Sequence, residues 1–454
     1  PLNGRDRVSH SQCSNLKELS NSMRCIGQGG FVKRVLLSLF MLSVGAPGAV
    51  AQAAPEGPPA EGTVQPREPG SQLRVWLITA APGDAVWERF GHNAIRVLDT
   101  ETGWDASYNW GIFDFNQPGF VPRFLKGEML YMMAPYQTEP MIDSYRETDR
   151  QVIMQELAMT SAQKLSLRDL ANVNSLPENR EYFYDYFRDN CSTRIRDLLD
   201  EVLGGSLFEQ IGTVDNDLTY RTHTRRLTQI DPIVFTGMDV LLGSPGDVPI
   251  FQWEEMFLPM VLRDAIRDAT TTDADGNVIP LVLSEEVVVS STRTPEPARA
   301  DSWFLRFLLV GVGLGGLLAW SGTKAASGSK PLSALFGTMA AAWSLLAGIF
   351  GLVLVLVLLT DHWSMTWNET VLLLNPVSLG LVFLAPFAAM GRTKAGVRAA
   401  LLSKVVAGIA LVGLVAQVMP STPQSTWMLI AFFLPIHLGV AFGLHRLART
   451  ATSS

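Results

Sequence analysis

Tyr184-Asp185-Tyr186-Phe187-Arg188-Asp189-Asn190-Cys191-Ser192-Thr193-Arg194-Ile195-Arg196-Asp197-Leu198-Leu199 is the stretch whose reading decides the fold. Its second half predicts a helix: Asn190 is a good N-cap, Ile195, Leu198, Leu199, Val202 and Leu203 recur at helical spacing, and Gly204-Gly205 supplies the stop. Cys191 then falls in the first turn, where unpaired backbone N–H groups and the positive end of the helix dipole favour a thiolate. It shares a face with Ile195, Leu198, Leu199 and Val202, so it points into the body of the domain.

Working outward, the other two cysteines, Cys13 and Cys25, precede an export signal core, so the mature chain keeps one thiol. A lone thiol cannot staple its own fold. A single cysteine by itself reads as a small buried hydrophobe; the helix-start position and a histidine partner favour a nucleophile instead.

The 454 residues suffice for two domains, and their apolar content is uneven. Residues 1–51 read as an extension plus a secretory signal: Lys33-Arg34, a ten-residue apolar core from Val35 to Val44, and Ala49-Val50-Ala51. Met23 is a candidate start. Residues 52–70, rich in Ala, Pro, Glu and Gly, form a linker. Residues 71–300 form a polar, exported domain, and residues 301–454 a membrane domain. The net charge of −7, with no long basic run, leaves no footprint for nucleic acid.

Within the exported domain, strands are expected over Leu73 to Thr79, Phe90 to Leu98, Ser107 to Phe113, Met129 to Met133 and Val152 to Leu157. Helical patterns follow near Ser161 to Val173 and Glu178 to Phe187, then in the Cys191 helix. Glu254 to Leu258 reads as a short helix interrupted at Pro259, and Pro280 to Ser290 as extended. Five apolar stretches come next, roughly Trp303 to Trp320, Leu332 to Leu359, Val371 to Met390, Ala399 to Met419 and Trp427 to Leu444, each long enough to span a bilayer. Lys324, Lys330, Arg392, Lys394 and Arg398 lie in the first and third loops, and Arg446 and Arg449 after the last span. The positive-inside rule therefore places these ends in the cytoplasm and the preceding domain outside.

A thiol nucleophile needs a base within hydrogen-bond reach, and the exported domain has only His92 and His223. His92 is the better placed, on a strand face opposite Ile95 and Val97. A strand histidine alone is commonly structural; one followed, after an intervening sheet, by a helix-start cysteine is a more specific sign. Two separated histidines and one cysteine lack zinc-ligand spacing, so neither a metal nor another cofactor is implied.

That order resembles the circularly permuted NlpC/P60 branch of papain-like enzymes, in which the histidine strand precedes the cysteine helix. A narrower resemblance lies in Phe90-Gly91-His92-Asn93-Ala94, Tyr108-Asn109-Trp110-Gly111-Ile112-Phe113-Asp114-Phe115, Asp189-Asn190-Cys191-Ser192 and Glu255-Met256-Phe257-Leu258-Pro259, joined in the membrane part by Asp361-His362-Trp363, Asn368 and Asn375-Pro376. These are similar to the Lnb family, bacterial lipoprotein N-acyltransferases with an extracytoplasmic catalytic domain. The resemblance implies an α+β papain-like domain followed by an all-α membrane domain of five helices, sited in the bacterial inner membrane. It also implies Cys191 as nucleophile, His92 as base, a membrane phospholipid as acyl donor and a diacylated lipoprotein as acceptor.

No motif assigns the group that orients the imidazole. Asn109 is the choice on geometry, because it shares a strand face with Ser107 and Gly111 while Tyr108 and Trp110 face the other way; Asp114 is the runner-up. Asn190, Asp114, His223 and His362 are the candidate substrate contacts. His223, in Arg221-Thr222-His223-Thr224-Arg225-Arg226, reads first as part of a solvated face and second as a phospholipid headgroup contact. His362 reads either as an interfacial anchor or as a substrate contact. The alternative function is a membrane-anchored cysteine peptidase or amidase acting on cell-wall peptide; a non-catalytic assembly subunit is a third class. Five spans favour a lipid substrate, since a cell-wall hydrolase would need one anchor.

Overall fold

Strand β1 (Leu73–Ala80) runs through the middle of a seven-stranded antiparallel sheet with β2 (His92–Asp99) on one side and β5 (Val152–Leu157) on the other. Beyond β2 come β3 (Asp105–Ile112), β4 (Leu130–Gln137) and the short β6 (Glu181–Phe183); beyond β5 lies the edge strand Val282–Val289. The computed structural model describes residues 67–114, 116–419 and 424–453. The signal segment, most of the linker and Phe115 lie outside the described residues.

Alternation decides which side chains go where. Val75, Leu77, Ile95, Val97, Tyr108 and Trp110 point to one face and pack against helices α3 (Ser161–Ser175) and α4 (Cys191–Val202) through Leu167, Ala171, Ile195 and Leu199. Each such leucine-sized chain taken fully out of water contributes about 1.5–3 kcal/mol. Trp76, Ile78 and Ala94 point to the opposite face, where Met141 and Ile142 of α2 (Thr138–Glu147) cover them.

Two expected elements differ. Glu178 to Phe187 is not a helix: Glu181–Phe183 pairs with β4, and Asp185 then turns the chain, its carboxylate accepting from the Phe187 and Arg188 N–H groups, 2.9 Å each. Aromatic residues that suggest a helical face here serve a sheet edge and a cleft wall. Pro259 does not interrupt a helix but opens one, Pro259–Asp268, because its missing N–H is an orphan at a first helical position anyway.

Among the described residues, five helices are long and apolar enough to cross a membrane: Phe304–Ala326, Lys330–Leu359, Glu369–Ala389, Thr393–Ala416 and Trp427–Thr450. The third is not continuous; short 3-10 turns lead through Asn375-Pro376 into an eleven-residue helix, Leu379–Ala389. The loops holding Ser364 and Ser425 sit against the first domain: Gly243 N–H donates to Ser364 O at 2.8 Å, Arg225 Nη2 to Ser425 O at 2.7 Å, and Asn368 Nδ2 to Val240 O at 2.8 Å. Both weakly charged loops thus lie on the domain's side of the helices.

Candidate active site

The thiol of Cys191 and the imidazole of His92 come from opposite faces of the sheet and meet at the end of β2. Asn190 caps α4: its Oδ1 accepts from Ser192 N–H at 2.8 Å and Thr193 N–H at 2.9 Å, while Thr193 Oγ1 accepts from Asn190 N–H at 2.8 Å. The helix is also held from behind, since Ser192 Oγ donates to Met256 O at 2.6 Å and Asn190 Nδ2 to Phe257 O at 2.9 Å. Cys191 is buried and its thiol is free.

The sheet opens where the helix start approaches it. The pairing of β3 with β4 shifts register between Asn109 and Ile112, and Gly111 there has φ +87°, in the left-handed region. A Cβ at Gly111 would stand 3.6 Å from the Cys191 Cβ.

His92 Nε2 lies 3.0 Å from Asn109 Oδ1. The amide cannot turn away, because its Nδ2 donates to Ser107 O at 2.9 Å and to Met141 Sδ at 3.2 Å. With Nε2 engaged, the other ring nitrogen is left for the thiol. Burial pushes the Cys191 thiol up, but the charge of His92, its hydrogen bond and the Asn93 and Ser192 N–H groups outweigh it, so the thiol ionises below the ordinary range. For His92, burial pushes down; the Cys191 charge, its hydrogen bond and that of Asn109 prevail, so the imidazole holds its proton above the usual range. Both shifts favour a thiolate beside an imidazolium over the neutral pair.

This pair forms the floor of a cleft of about 650 Å³, walled by Trp87, Phe113, Tyr131, Tyr136, Tyr145, Tyr184 and Tyr186, with Arg150 beside it. Tyr131 and Tyr184 stack with centroids 4.1 Å apart. Single-residue chemistry in the sequence could not find this wall, which collects rings from five separate segments; the alternation of Tyr182, Tyr184 and Tyr186 was a local signal of part of it.

The remaining candidates stand elsewhere. Asp114 is exposed, caps Asn116 N–H at 2.8 Å and does not touch His92. Asn190 spends its whole amide on the fold, its Nδ2 also reaching Tyr186 O at 3.0 Å, so it has no group left for a substrate. His223 corrects the expectation of a solvated face or headgroup contact: it is buried, and its Nε2 meets Glu255 Oε1 at 2.6 Å. The basic segment turned inward because acidic partners wait there, Asp239 and Asp247 for Arg221 and Asp239 for Arg225. His362 Nε2 donates to Phe124 O at 2.9 Å, outside the cleft, and the neighbouring Trp363 donates to Asp185 while Arg188 covers its ring. Among the described residues no cluster of three His, Cys, Asp or Glu could hold a metal ion.

Searches for a similar curated protein and a similar solved structure returned no match. Residues 67–226 match the family model of the Lnb N-terminal periplasmic domain, a span that holds Cys191, His92 and Asn109. The chain is a multi-pass membrane protein with a periplasmic domain, and that domain is similar over residues 67–226 to the Lnb N-terminal periplasmic domain.

Proposed function

We propose that this protein is a lipoprotein N-acyltransferase of permuted papain-like type, working from the periplasmic face of the inner membrane. The observation that carries the reading is the line of thiol, imidazole and amide at the floor of an aromatic cleft, on a domain hydrogen-bonded to the outer ends of membrane helices. The Lnb match supports it.

In the first half-reaction the Cys191 thiolate attacks the ester carbonyl carbon of a membrane phospholipid. The Cys191 N–H at the start of α4, which the Asn190 cap does not take, holds the oxyanion. The carbon–oxygen bond breaks, the imidazolium of His92 gives its proton to the departing lysophospholipid oxygen, and a thioester remains on Cys191. In the second half-reaction the free α-amino group of a lipid-modified N-terminal cysteine attacks the thioester. His92 takes the amine proton, the carbon–sulfur bond breaks, and the thiolate is restored beside an imidazolium. Asn109 acts on His92 rather than on substrate, holding the ring in the plane that serves both transfers. Membrane anchoring of donor and acceptor makes the encounter a positioned one, and the ring-lined cleft disfavours water as the competing acceptor.

The test is the purified protein given phospholipid and diacylated lipoprotein. The expected products are lysophospholipid and a lipoprotein N-terminal peptide heavier by one acyl chain, by mass spectrometry, with neither from Cys191→Ala. Free fatty acid alone, or a cleaved peptide, would replace this reading with the peptidase or amidase one.

A further inference from the structure

The segment that joins β3 to β4 carries helix α1 (Phe120–Lys126), and its outward face is apolar: Val121 is 62 %, Phe124 49 % and Leu125 64 % exposed. Three bare apolar chains on a seven-residue helix are costly in water. The helix is bolted to the membrane part, since Asp361 N–H donates to Lys126 O at 2.7 Å and His362 Nε2 to Phe124 O at 2.9 Å. Asp361 follows the second span by two residues, and that span ends on Leu359, 81 % exposed. The apolar face of α1 therefore stands level with the outer end of a membrane helix. Trp427, exposed, begins the fifth span on the same side, as aromatic residues do at a bilayer boundary.

The same segment opens into the cleft. Phe113 before α1 and Tyr131 after it both line the cleft, with ring centroids 5.1 Å apart, and Gln117 Nε2 donates to Leu130 O at 3.1 Å, closing the base of the excursion.

We propose that α1 lies in the outer leaflet of the membrane and is the sill over which a phospholipid acyl chain passes from the bilayer to Cys191. The occupant of the apolar face is the lipid surface itself, because the face continues the hydrocarbon-facing end of the second span. The role of the sill in delivery rests on the acyltransferase reading; the seating of α1 in lipid does not.

Two measurements separate these. The full-length Cys191→Ala, Leu125→Cys protein, labelled with an environment-sensitive fluorophore at position 125, is reconstituted in phosphatidylethanolamine and phosphatidylglycerol vesicles containing doxyl-lipid quenchers. Strong quenching is expected, and little from a label at exposed Asp169. Quenching no greater at 125 than at 169 would overturn the proposal. In otherwise native protein, Val121→Asp with Leu125→Asp should lower lysophospholipid release at least tenfold while leaving alkylation of Cys191 by iodoacetamide, a small water-soluble probe, unchanged. Undiminished release would overturn the delivery role; absence of release from the unaltered protein would instead condemn the acyltransferase reading, and the quenching result would stand on its own.

Discussion

His92 and Asn109 face each other across adjacent strands with Nε2 and Oδ1 3.0 Å apart, and two further bonds from the Asn109 amide prevent it from flipping. Asn109→Ala should therefore lower turnover by roughly 10- to 100-fold, less than the roughly 10²–10⁴-fold expected of His92→Ala. Asn109→Asp keeps an acceptor and adds negative charge, so the imidazolium should persist to higher pH. A pH–rate profile of Asn109→Asp that does not move upward would count against the orienting role.

The thiolate–imidazolium pair exists above the lowered Cys191 pKa and below the raised His92 pKa. Alkylation by iodoacetamide needs only the thiolate, so Cys191 should react at a pH where an ordinary free thiol is already protonated and silent. His92→Ala removes the charge and hydrogen bond that hold the thiol down, and burial then prevails. The inflection in a stopped-time alkylation series should move to higher pH.

Gly111 supplies the positive φ at which β3 breaks register beside the thiol. Gly111→Ala places a side chain in the left-handed region, costing about 1–2 kcal/mol. The expected result is a lower melting temperature in detergent together with reduced activity; a melting temperature and activity both equal to the original would remove the bulge from the account.

Arg221 is buried between Asp239 and Asp247, donating at 2.8 Å to each, and also to Leu242 O at 2.7 Å. Arg221→Ala leaves the buried Asp247 without its cation, while Asp239 keeps Arg225, at a cost of about 3–5 kcal/mol. Because Asp247 Oδ1 also accepts from Ser425 N–H at 3.2 Å, the loss should loosen the domain from its membrane helices. Limited proteolysis between residues 230 and 300 should accelerate markedly.

The basic first and third loops lie at the far ends of the helices from the domain. A reporter fused after Ser454 should report the cytoplasm, and periplasmic activity of such a fusion would reverse the topology.

Local signals in the chain determined a good part of this. The cap at Asn190, the helical spacing of Ile195 and Leu199, and the glycine stop specify α4 because each acts within a few residues. Alternation along Ile95 to Val97 and Tyr108 to Trp110 specifies which strand faces are buried, and continuous apolar length specifies the spans. The pairing of β2 with β3 needs only a short connection, so the meeting of His92 and Asn109 was open to inference from strand faces.

Tertiary structure alone decided the rest. His223 is buried because Glu255, 32 residues later, meets it; the segment's local charge pointed to solvent, and no periodicity encodes a distant partner. Tyr184 and Tyr186 became a cleft wall only once Glu181–Phe183 had joined the far edge of the sheet. His362 became a bracket for α1 because the second span ends beside it. Capping, alternation and hydropathy are nearest-neighbour energetics, written residue by residue. Buried ion pairs and cleft walls depend on which distant groups share one low-dielectric space, and that sharing exists only after the chain has folded.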